Sequence, residues 1–138
     1  MSLLFHPKQG TVLICDYSGF IPPEMIKKRP VVIISNSRKQ QGLYTVVPLS
    51  TTRPILIENY HHKMNPLSLP GDYALKETWA KCDMIATVSA RRLDRIKLSK
   101  NIKGKRLYVI HHTIKEDLDA ILKGVLIYLG LTFLTKHF

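Results

Sequence analysis

The segment Pro22–Ser35 reads PPEMIKKRPVVIIS, and we expect the rest of the fold to be organised around it. Pro30 fixes its own φ and biases Arg29 away from the α region, so a helix cannot continue through this point. The four residues that follow are β-branched and continuous rather than alternating, which is typical of a strand buried on both faces. The segment therefore predicts a buried strand that begins beside Arg29.

A second apolar run, Leu43–Thr52, reads LYTVVPLSTT and ends in three hydroxyl side chains. In an antiparallel hairpin the start of one strand faces the end of the next, so we expect Arg29 or Pro30 to lie opposite Ser50 or Thr51. A guanidinium and hydroxyl groups can all donate hydrogen bonds to phosphate oxygens. The pattern is compatible with an anion site.

A structural interpretation of the same residues is also open. Arg29 would then pair with a carboxylate, Glu24 or Asp83, and the hydroxyls of Ser50 and Thr51 would only close a strand. Spacing alone favours this structural interpretation.

Composition indicates the kind of partner. The chain has 138 residues, which suits one domain over 1–138, and 21 Lys and Arg against 10 Asp and Glu give a net charge of +11. Such a charge favours a polyanion, with nucleic acid the commonest partner, an acidic protein the second and a membrane surface the third. A merely solubilising surface would have the same charge count.

The cysteine pattern predicts the compartment. Cys15 and Cys82 lie in apolar segments and form neither a metal motif nor a disulfide framework, so we expect buried thiols in a reducing, cytoplasmic environment. The N-terminus lacks the pattern of a secretory signal. The most apolar run, Gly124–Thr135, is too short to span a bilayer as a helix, so no membrane association is expected.

The remaining elements are predicted from local patterns. Thr113 followed by Glu116 matches a helix capping box, and apolar spacing predicts a helix over about Ile114–Leu129 that ends at Gly130. The other predictions are strands at Thr11–Tyr17, Ile55–Tyr60, Tyr73–Val88 and Asp94–Leu98, a helical turn at Ser89–Leu93, a surface loop at His61–Asp72, and polar turns at Arg38–Gly42 and Lys100–Arg106. This order predicts a small, curved, mainly antiparallel sheet or barrel closed by one C-terminal helix.

Two features of the loops bear on function. The connection Ser18–Lys28 is long for a small domain, and loops of that length are often functional. His61 and His62 are adjacent and point to opposite faces of an extended chain, which makes them poor joint metal ligands. No phosphate-binding glycine motif and no zinc spacing is present in the sequence, so nucleotide hydrolysis and metalloprotease chemistry are not indicated, and no metal or cofactor is expected.

Four pieces in order resemble the MazF/PemK family, also called Kid, of type II toxin–antitoxin toxins: GTVLICDY, KRPVVIIS, VVPLSTT, and WAKCDMI followed by RL. The resemblance covers about residues 10–98 and a helix in the expected place. It implies an SH3-like antiparallel barrel of the kind shared with the CcdB toxins. It also implies a homodimeric, metal-independent endoribonuclease that cuts single-stranded RNA, and an antitoxin whose acidic, disordered tail covers the RNA groove.

The resemblance also assigns roles to individual residues. Arg29 falls on the catalytic arginine, Ser50 on a position usually held by threonine with Thr51 beside it, and Glu24 on the loop glutamate. Lys81 and Asp83 fall where the Kid branch has an arginine and an aspartate. Two positions depart from the family: Pro23 replaces a histidine that some members carry, and Lys81 replaces the arginine.

These assignments give a mechanistic hypothesis. Arg29 and the hydroxyl of Ser50 or Thr51 stabilise the phosphate, Glu24 is the base, Lys81 or Arg29 is the acid or electrostatic helper, and Asp83 orients a cation. We expect the RNA to contact Lys27, Lys28, Arg53, Arg91 and Arg92. The alternatives are a non-catalytic RNA- or protein-binding relative and a CcdB-like gyrase inhibitor.

Overall fold

The computed structural model describes residues 3, 5–36, 42–100, 104 and 106–138. The polar turns predicted at Arg38–Gly42 and Lys100–Arg106 lie largely outside these residues. The strands are β1 Thr11–Cys15, β2 Arg29–Ile33, β3 Leu43–Ser50, β4 His61–Lys63, β5 Trp79–Lys81, β6 Ala86–Ser89, β7 Leu93–Asp94, β8 Ile96–Lys100, β9 Arg106–Val109 and β10 His111–His112, and the helix is α1 Lys115–Tyr128. Short 3₁₀ turns span Pro66–Ser68, Gly71–Leu75, Cys82–Met84, Ala90–Arg92 and Thr132–His137.

The main sheet is antiparallel and has the strand order β10-β1-β2-β3-β5-β4. β6 also pairs with the first half of β3, and β7 pairs with the end of β1, so the sheet bends around these two strands. β8 and β9 form a separate hairpin. The prediction of a mainly β fold with one C-terminal helix is confirmed, although among the described residues the strands at the two ends of the sheet, β10 and β4, do not pair to close a barrel.

The central strands are buried on both faces. Val32 packs in a cluster that includes Ile121 and Val125 of α1, whereas Val31 and Ile33 pack on the opposite face with Tyr44 and Leu93. Val31, Val32 and Ile33 are all completely buried. The continuous β-branched run therefore forms the two-sided buried strand that its pattern predicts.

Three local predictions are wrong. Residues 55–60 form no strand, and the side chain of Ile55 is fully exposed, because Pro54 lacks an N–H and this apolar run has no sheet edge to join. The loop predicted at His61–Asp72 begins instead with β4, which pairs with β5. The strand predicted at Tyr73–Val88 is interrupted by the 3₁₀ turn Cys82–Met84.

The helix ends where the sequence predicts but begins differently. Gly130 has φ +80°, and Leu131 N–H donates to Leu126 O in the bond pattern of a glycine-terminated helix. At the other end the N-cap is Ile114, whose N–H donates to Ser68 Oγ at 3.0 Å, and Thr113 makes no cap. A side chain 46 residues away supplies the cap, which local sequence does not reveal. In the described part of the chain no helix has the length and apolar character needed to cross a membrane.

Both cysteines are free and buried, which confirms the thiol prediction. Burial raises the pKa of the Cys15 thiol to about 11. Burial, with a further contribution from the charge of Asp83, raises the pKa of the Cys82 thiol to about 12. Both groups are therefore neutral packing residues at physiological pH.

Candidate active site and nucleic-acid interface

The register of β2 and β3 aligns Arg29 with Ser50. Val31 pairs with Pro48, and the same register continued by two residues sets Arg29 level with Ser50. On its other side Ser50 pairs with Trp79 of β5. Residues directly opposite each other in an antiparallel sheet place their side chains on the same face. The predicted pairing of β2 with β3 therefore forms, and continuing its register brings Arg29 level with Ser50, the first of the three hydroxyls.

Arg29 has hydrogen-bonding capacity that the described residues do not use. Its Nε is buried and has no hydrogen-bond partner among them, and no carboxylate in the described part of the chain lies within 4.0 Å of its guanidinium. The ion pair with Glu24 or Asp83 that the structural interpretation requires is therefore not present. A buried donor without a partner costs about 1–3 kcal/mol, which an anionic ligand would recover.

Ser50 presents a hydroxyl at the end of β3. Its side chain is buried, and Oγ accepts a hydrogen bond from Thr52 N–H at 3.1 Å. The hydroxyl hydrogen makes no bond to a described residue, so it can be donated to a ligand. Thr51 follows directly and is exposed. The two hydroxyl residues therefore differ, because Ser50 is held in the sheet and Thr51 is free at the surface.

Glu24 and Asp83 line one cavity of about 410 Å³. The cavity lies between the loop that precedes β2 and the segment that joins β5 to β6, and Arg29 and Ser50 are not part of its wall. Glu24 Oε1 accepts a hydrogen bond from Ile21 N–H at 2.8 Å, which ties the carboxylate to its own loop. The cavity thus brings together the two carboxylates that the sequence singles out. We call Arg29 and Ser50, which lie level in the continued register of β2 and β3, the Arg29–Ser50 row, and neither residue lines this cavity.

Asp83 does not have the partner expected for it. Its Oδ1 is buried and has no hydrogen-bond partner among the described residues. The nearest basic side chain is His61, whose Nε2 lies 3.8 Å from Oδ1. The local sequence does not identify His61 as a candidate, because its pattern predicts a surface loop there rather than a strand beside β5.

Lys81 lies at the end of β5 and is partly buried. Residues two apart on a strand share a face, so Lys81 lies on the same face of β5 as Trp79, which pairs with Ser50. On its other side Lys81 pairs with His61 of β4. Lys81 is thus close to the row that contains Ser50 and forms no ion pair with a described residue.

Three of the predicted RNA-binding residues line a second cleft, of about 330 Å³. These are Lys28, Arg91 and Arg92, and Arg95 and Lys97 line the same cleft, so five cationic side chains surround it. Its acidic residues are Asp16 and Asp94. The cleft adjoins β7, and β7 pairs with β1 beside the end of β1 that pairs with Arg29.

Arg91 and Arg92 are used differently although they are neighbours. Arg92 Nη1 donates to the carbonyl oxygens of Asp16 and Ser18 at 2.9 and 2.6 Å, and its guanidinium lies 4.9 Å from the ring of Phe20. Arg91 is exposed, and its side chain makes no hydrogen bond or ion pair with a described residue. Arg92 therefore fixes the loop after β1, while Arg91 is available to a ligand.

The other two predicted RNA-binding residues lie outside this cleft. Lys27 is exposed on the loop before β2. Arg53 follows the hydroxyl residues, with its guanidinium 5.9 Å from the Trp79 ring and its Nε 4.0 Å from Glu77 Oε1. The five predicted RNA-binding residues therefore do not form one patch: three line the cleft, and Lys27 and Arg53 lie outside it.

Comparison with known proteins identifies a family and a similar protein. Residues 8–125 match the family described as PemK-like, MazF-like toxin of type II toxin–antitoxin system. A Haemophilus influenzae protein of uncharacterized function is 36% identical over 141 residues, which cover 91% of this chain and 94% of that protein.

Solved structures share the fold. MazF from Deinococcus radiodurans has a TM-score of 0.65 at 12% identity, covering 91% of this chain and 98% of that one. A mycobacterial endoribonuclease in complex with its cognate antitoxin has a TM-score of 0.59 at 21% identity, covering 91% and 97%. The MazF-like fold expected from the sequence is thereby confirmed. Since the family match spans most of the chain, from the first strand to the C-terminal helix, this protein belongs to the PemK-like, MazF-like toxins of type II toxin–antitoxin systems.

Proposed function

We propose that this toxin is an endoribonuclease that cuts single-stranded RNA without a metal ion and so inhibits translation and growth. The observation that carries the proposal is the buried donor of Arg29, which has no partner among the described residues and comes level with the buried hydroxyl of Ser50 when the β2–β3 register is continued by two residues. A fold match to a protein named an endoribonuclease supports the same activity.

The chemistry needs no metal because RNA carries its own nucleophile. The 2′-hydroxyl attacks the adjacent phosphorus, the bond from phosphorus to the 5′ oxygen breaks, and the products are a 2′,3′-cyclic phosphate and a 5′-hydroxyl. Arg29 stabilises the charge that develops on the phosphate oxygens, and Ser50 or Thr51 donates a hydrogen bond to them. Preorganised donors of this kind are among the largest contributions to catalysis.

Proton transfer is assigned to the groups around the row. Glu24 is the proposed base that removes the 2′-hydroxyl proton, and Lys81 or Arg29 is the acid or electrostatic helper at the leaving oxygen. Asp83 is a positioning residue, but the described contacts give it His61 rather than Arg29 or Lys81 as its nearest basic neighbour. Glu24 and Asp83 face one cavity, which gives the substrate a defined place beside both carboxylates.

The RNA strand extends from the Arg29–Ser50 row toward the basic cleft. Lys28 and Arg91 contact phosphates there, and Lys27 and Arg53 do so beside the row, whereas Arg92 contributes charge from a position fixed by carbonyl oxygens. Binding through phosphates weakens linearly with the logarithm of salt concentration. This part of the proposal therefore predicts strong salt dependence and little sequence preference from the cleft itself.

Two partners complete the proposal. An acidic antitoxin segment competes with RNA for the basic surface, as the net charge of +11 favours, and the mycobacterial structure is a complex with its cognate antitoxin. The toxin acts as a homodimer in the cytoplasm, where its RNA substrate is. Exposed apolar side chains such as Phe133 and Phe138 after α1 give it surface to bury against a second copy.

The test uses purified protein and a mixed RNA in excess EDTA. We expect discrete fragments with 2′,3′-cyclic phosphate and 5′-hydroxyl ends, at a rate that EDTA does not change. If the protein binds the RNA but leaves it intact, it is a non-catalytic binding protein and not an enzyme. Cleavage that EDTA abolishes would contradict the metal-free mechanism.

A further inference from the structure

His61 is held in one orientation by its neighbours. Its Nδ1 accepts a hydrogen bond from Glu58 N–H at 3.0 Å, and its ring contacts the Tyr60 ring with centroids 4.7 Å apart. The side chain is only 9% exposed. Because Nδ1 accepts, it carries no proton, so a neutral His61 has its N–H on Nε2.

That nitrogen faces the buried oxygen of Asp83. Nε2 lies 3.8 Å from Asp83 Oδ1, which is buried and makes no hydrogen bond to a described residue. The separation exceeds a hydrogen bond by more than about 0.5 Å, and catalytic contacts are often long before substrate binds. A donor and an acceptor, each otherwise unused, are therefore poised to meet.

The ladder connects this pair to the proposed active site. His61 pairs with Lys81 across β4 and β5, and β5 pairs with the end of β3 that carries Ser50. Asp83 follows two residues after Lys81 and lines the cavity that also contains Glu24. Asp83 therefore lies next to His61 and also lines the cavity.

We propose that His61 is a positioning residue for the reaction, which donates from Nε2 to Asp83 Oδ1 and fixes the Asp83 carboxylate at the cavity wall opposite Glu24. This inference rests on the proposed ribonuclease function. When substrate fills the cavity, the two side chains close to hydrogen-bond distance, and the Asp83 carboxylate keeps its direction. His61 itself does not touch the RNA.

Two substitutions of His61 test the roles of its two ring nitrogens separately. His61→Asn keeps an acceptor for Glu58 N–H but has no donor that reaches Asp83, whereas His61→Gln places an amide N–H near the position of Nε2. We expect His61→Asn to lower kcat about 10- to 100-fold with little change in KM, since a misplacement on the order of 1 Å can cost about 100-fold. His61→Gln should keep kcat within about threefold of wild type.

The proposed contact also predicts that the effects on kcat of substituting His61 and Asp83 are not additive. In an Asp83→Ala background, His61→Asn should cause no further loss of kcat, because the acceptor for His61 Nε2 is already removed. His62→Gln is the matched control, since the neighbouring His62 bonds Asp117 and not Asp83, and it should leave kcat unchanged. Independent losses that multiply in the double variant, or equal losses in His61→Gln and His61→Asn, would overturn the proposal.

A second measurement does not depend on activity. Nitrogen-15 NMR of the histidine rings should show that the proton of neutral His61 is on Nε2 and not on Nδ1, and Asp83→Ala should shift the Nε2 signal of His61 but not that of His62. An unchanged His61 signal overturns the pairing even if the enzyme is active. Wild-type protein that cuts no RNA refutes the proposed function instead, while the NMR result still decides whether the two side chains interact.

Discussion

Gly124 of α1 lies against Cys82, so closely that a Cβ at position 124 would come within 2.8 Å of Cys82 Sγ and 3.0 Å of Tyr60 O. Real side chains do not pack at such distances. The contact seats α1 directly on the 3₁₀ turn that carries Asp83. The absence of a side chain at one helical position therefore controls how close the helix comes to the candidate site.

Gly124→Ala should destabilise the fold by about 1–3 kcal/mol, because overpacking a tight contact forces neighbours to move. Helix propensity alone predicts the opposite sign, a gain of about 1 kcal/mol. Urea unfolding measures the difference. Lys123→Ala, at an exposed neighbouring position, is the control and should be nearly neutral. A Gly124→Ala variant as stable as wild type would mean that the helix is not seated on Cys82.

Arg29→Lys distinguishes a catalytic phosphate site at Arg29 and Ser50 from a purely structural role of these residues. Lysine keeps the charge but loses the planar set of donors, so we expect normal folding, nearly normal RNA binding, and cleavage slower by ~100-fold or more. Ser50→Ala should have a milder effect of the same kind. Cleavage rates and binding constants on one RNA oligonucleotide measure both.

The outcome that would contradict this assignment is equally specific. If Arg29→Lys and Arg29→Ala both fold and both cut at the wild-type rate, the row is not the active site and only the basic binding surface remains. If both variants fail to bind RNA, Arg29 contributes binding energy rather than transition-state stabilisation.

The hairpin could be predicted because all its determinants are local. The continuous run after Pro30 has only one compatible structure in a small β protein, a strand buried on both faces. Antiparallel pairing with the next apolar run, continued by two residues, then brings Arg29 level with Ser50. The C-terminal end of α1 was predictable for the same reason, since Gly130 directly follows the helix and adopts the positive φ that ends it.

The missed features depend on contacts between distant segments. β4 is a strand only because β5, which is sixteen or more residues further along, offers it an edge, and this pairing places His61 beside Asp83. The run Ile55–Tyr60 has stronger β propensity but finds no edge. The helix cap likewise comes from Ser68 rather than from the adjacent Thr113. Tertiary context decided each of these against the local pattern.

Arg91 and Arg92 form a matched pair for RNA binding. Arg91→Ala should reduce the slope of log affinity against log salt by about 0.7, the value for one phosphate contact on a single strand, and leave stability unchanged. Arg92→Ala should instead lower the free energy of unfolding by about 1–3 kcal/mol, because the carbonyls of Asp16 and Ser18 lose their donor. Binding titrations at four salt concentrations and urea unfolding distinguish them. Equal salt slopes for Arg91→Ala and wild type would exclude Arg91 from the RNA path.

The buried thiols predict how stability depends on alkaline pH. Their pKa values are raised from an ordinary 9.0 to about 11 for Cys15 and about 12 for Cys82. Above pH 9 the unfolded chain loses thiol protons that the folded chain retains, so the free energy of unfolding falls as pH rises. The stabilisation is complete below pH 9 and is lost as pH rises through the two folded values.

The measurement is urea unfolding at pH 8, 9 and 10 for wild type and Cys82→Ala. Each thiol contributes at most about 1.4 kcal/mol per pH unit within its window, so the variant should show a shallower decline. The thiols should also resist a thiol-specific disulfide reagent at pH 8 until the protein unfolds. Parallel pH profiles for the two proteins would show that Cys82 ionises equally in both states.

A buried carboxylate outside the candidate site should matter most for stability. Asp117 Oδ1 accepts from His62 Nε2 at 2.8 Å, and Oδ2 accepts from Asn65 N–H at 2.9 Å and from Ser68 Oγ at 2.6 Å. These bonds fasten α1 to β4 and to the turn that caps the helix. Asp117→Ala leaves the buried Ser68 hydroxyl and two partly buried donors without this acceptor and should cost about 1–3 kcal/mol of unfolding free energy.

Asp119 is the matched control two residues along the same helix. It pairs with Lys115, which is 83% exposed, so Asp119→Ala should be indistinguishable from wild type in urea unfolding. Asp117→Asn should fall between the two, because an amide retains one acceptor oxygen but offers a donor where Oδ2 or Oδ1 must accept. If Asp117→Ala is as stable as Asp119→Ala, then His62, Asn65 and Ser68 find water or other partners, and packing rather than this carboxylate holds α1 to the sheet.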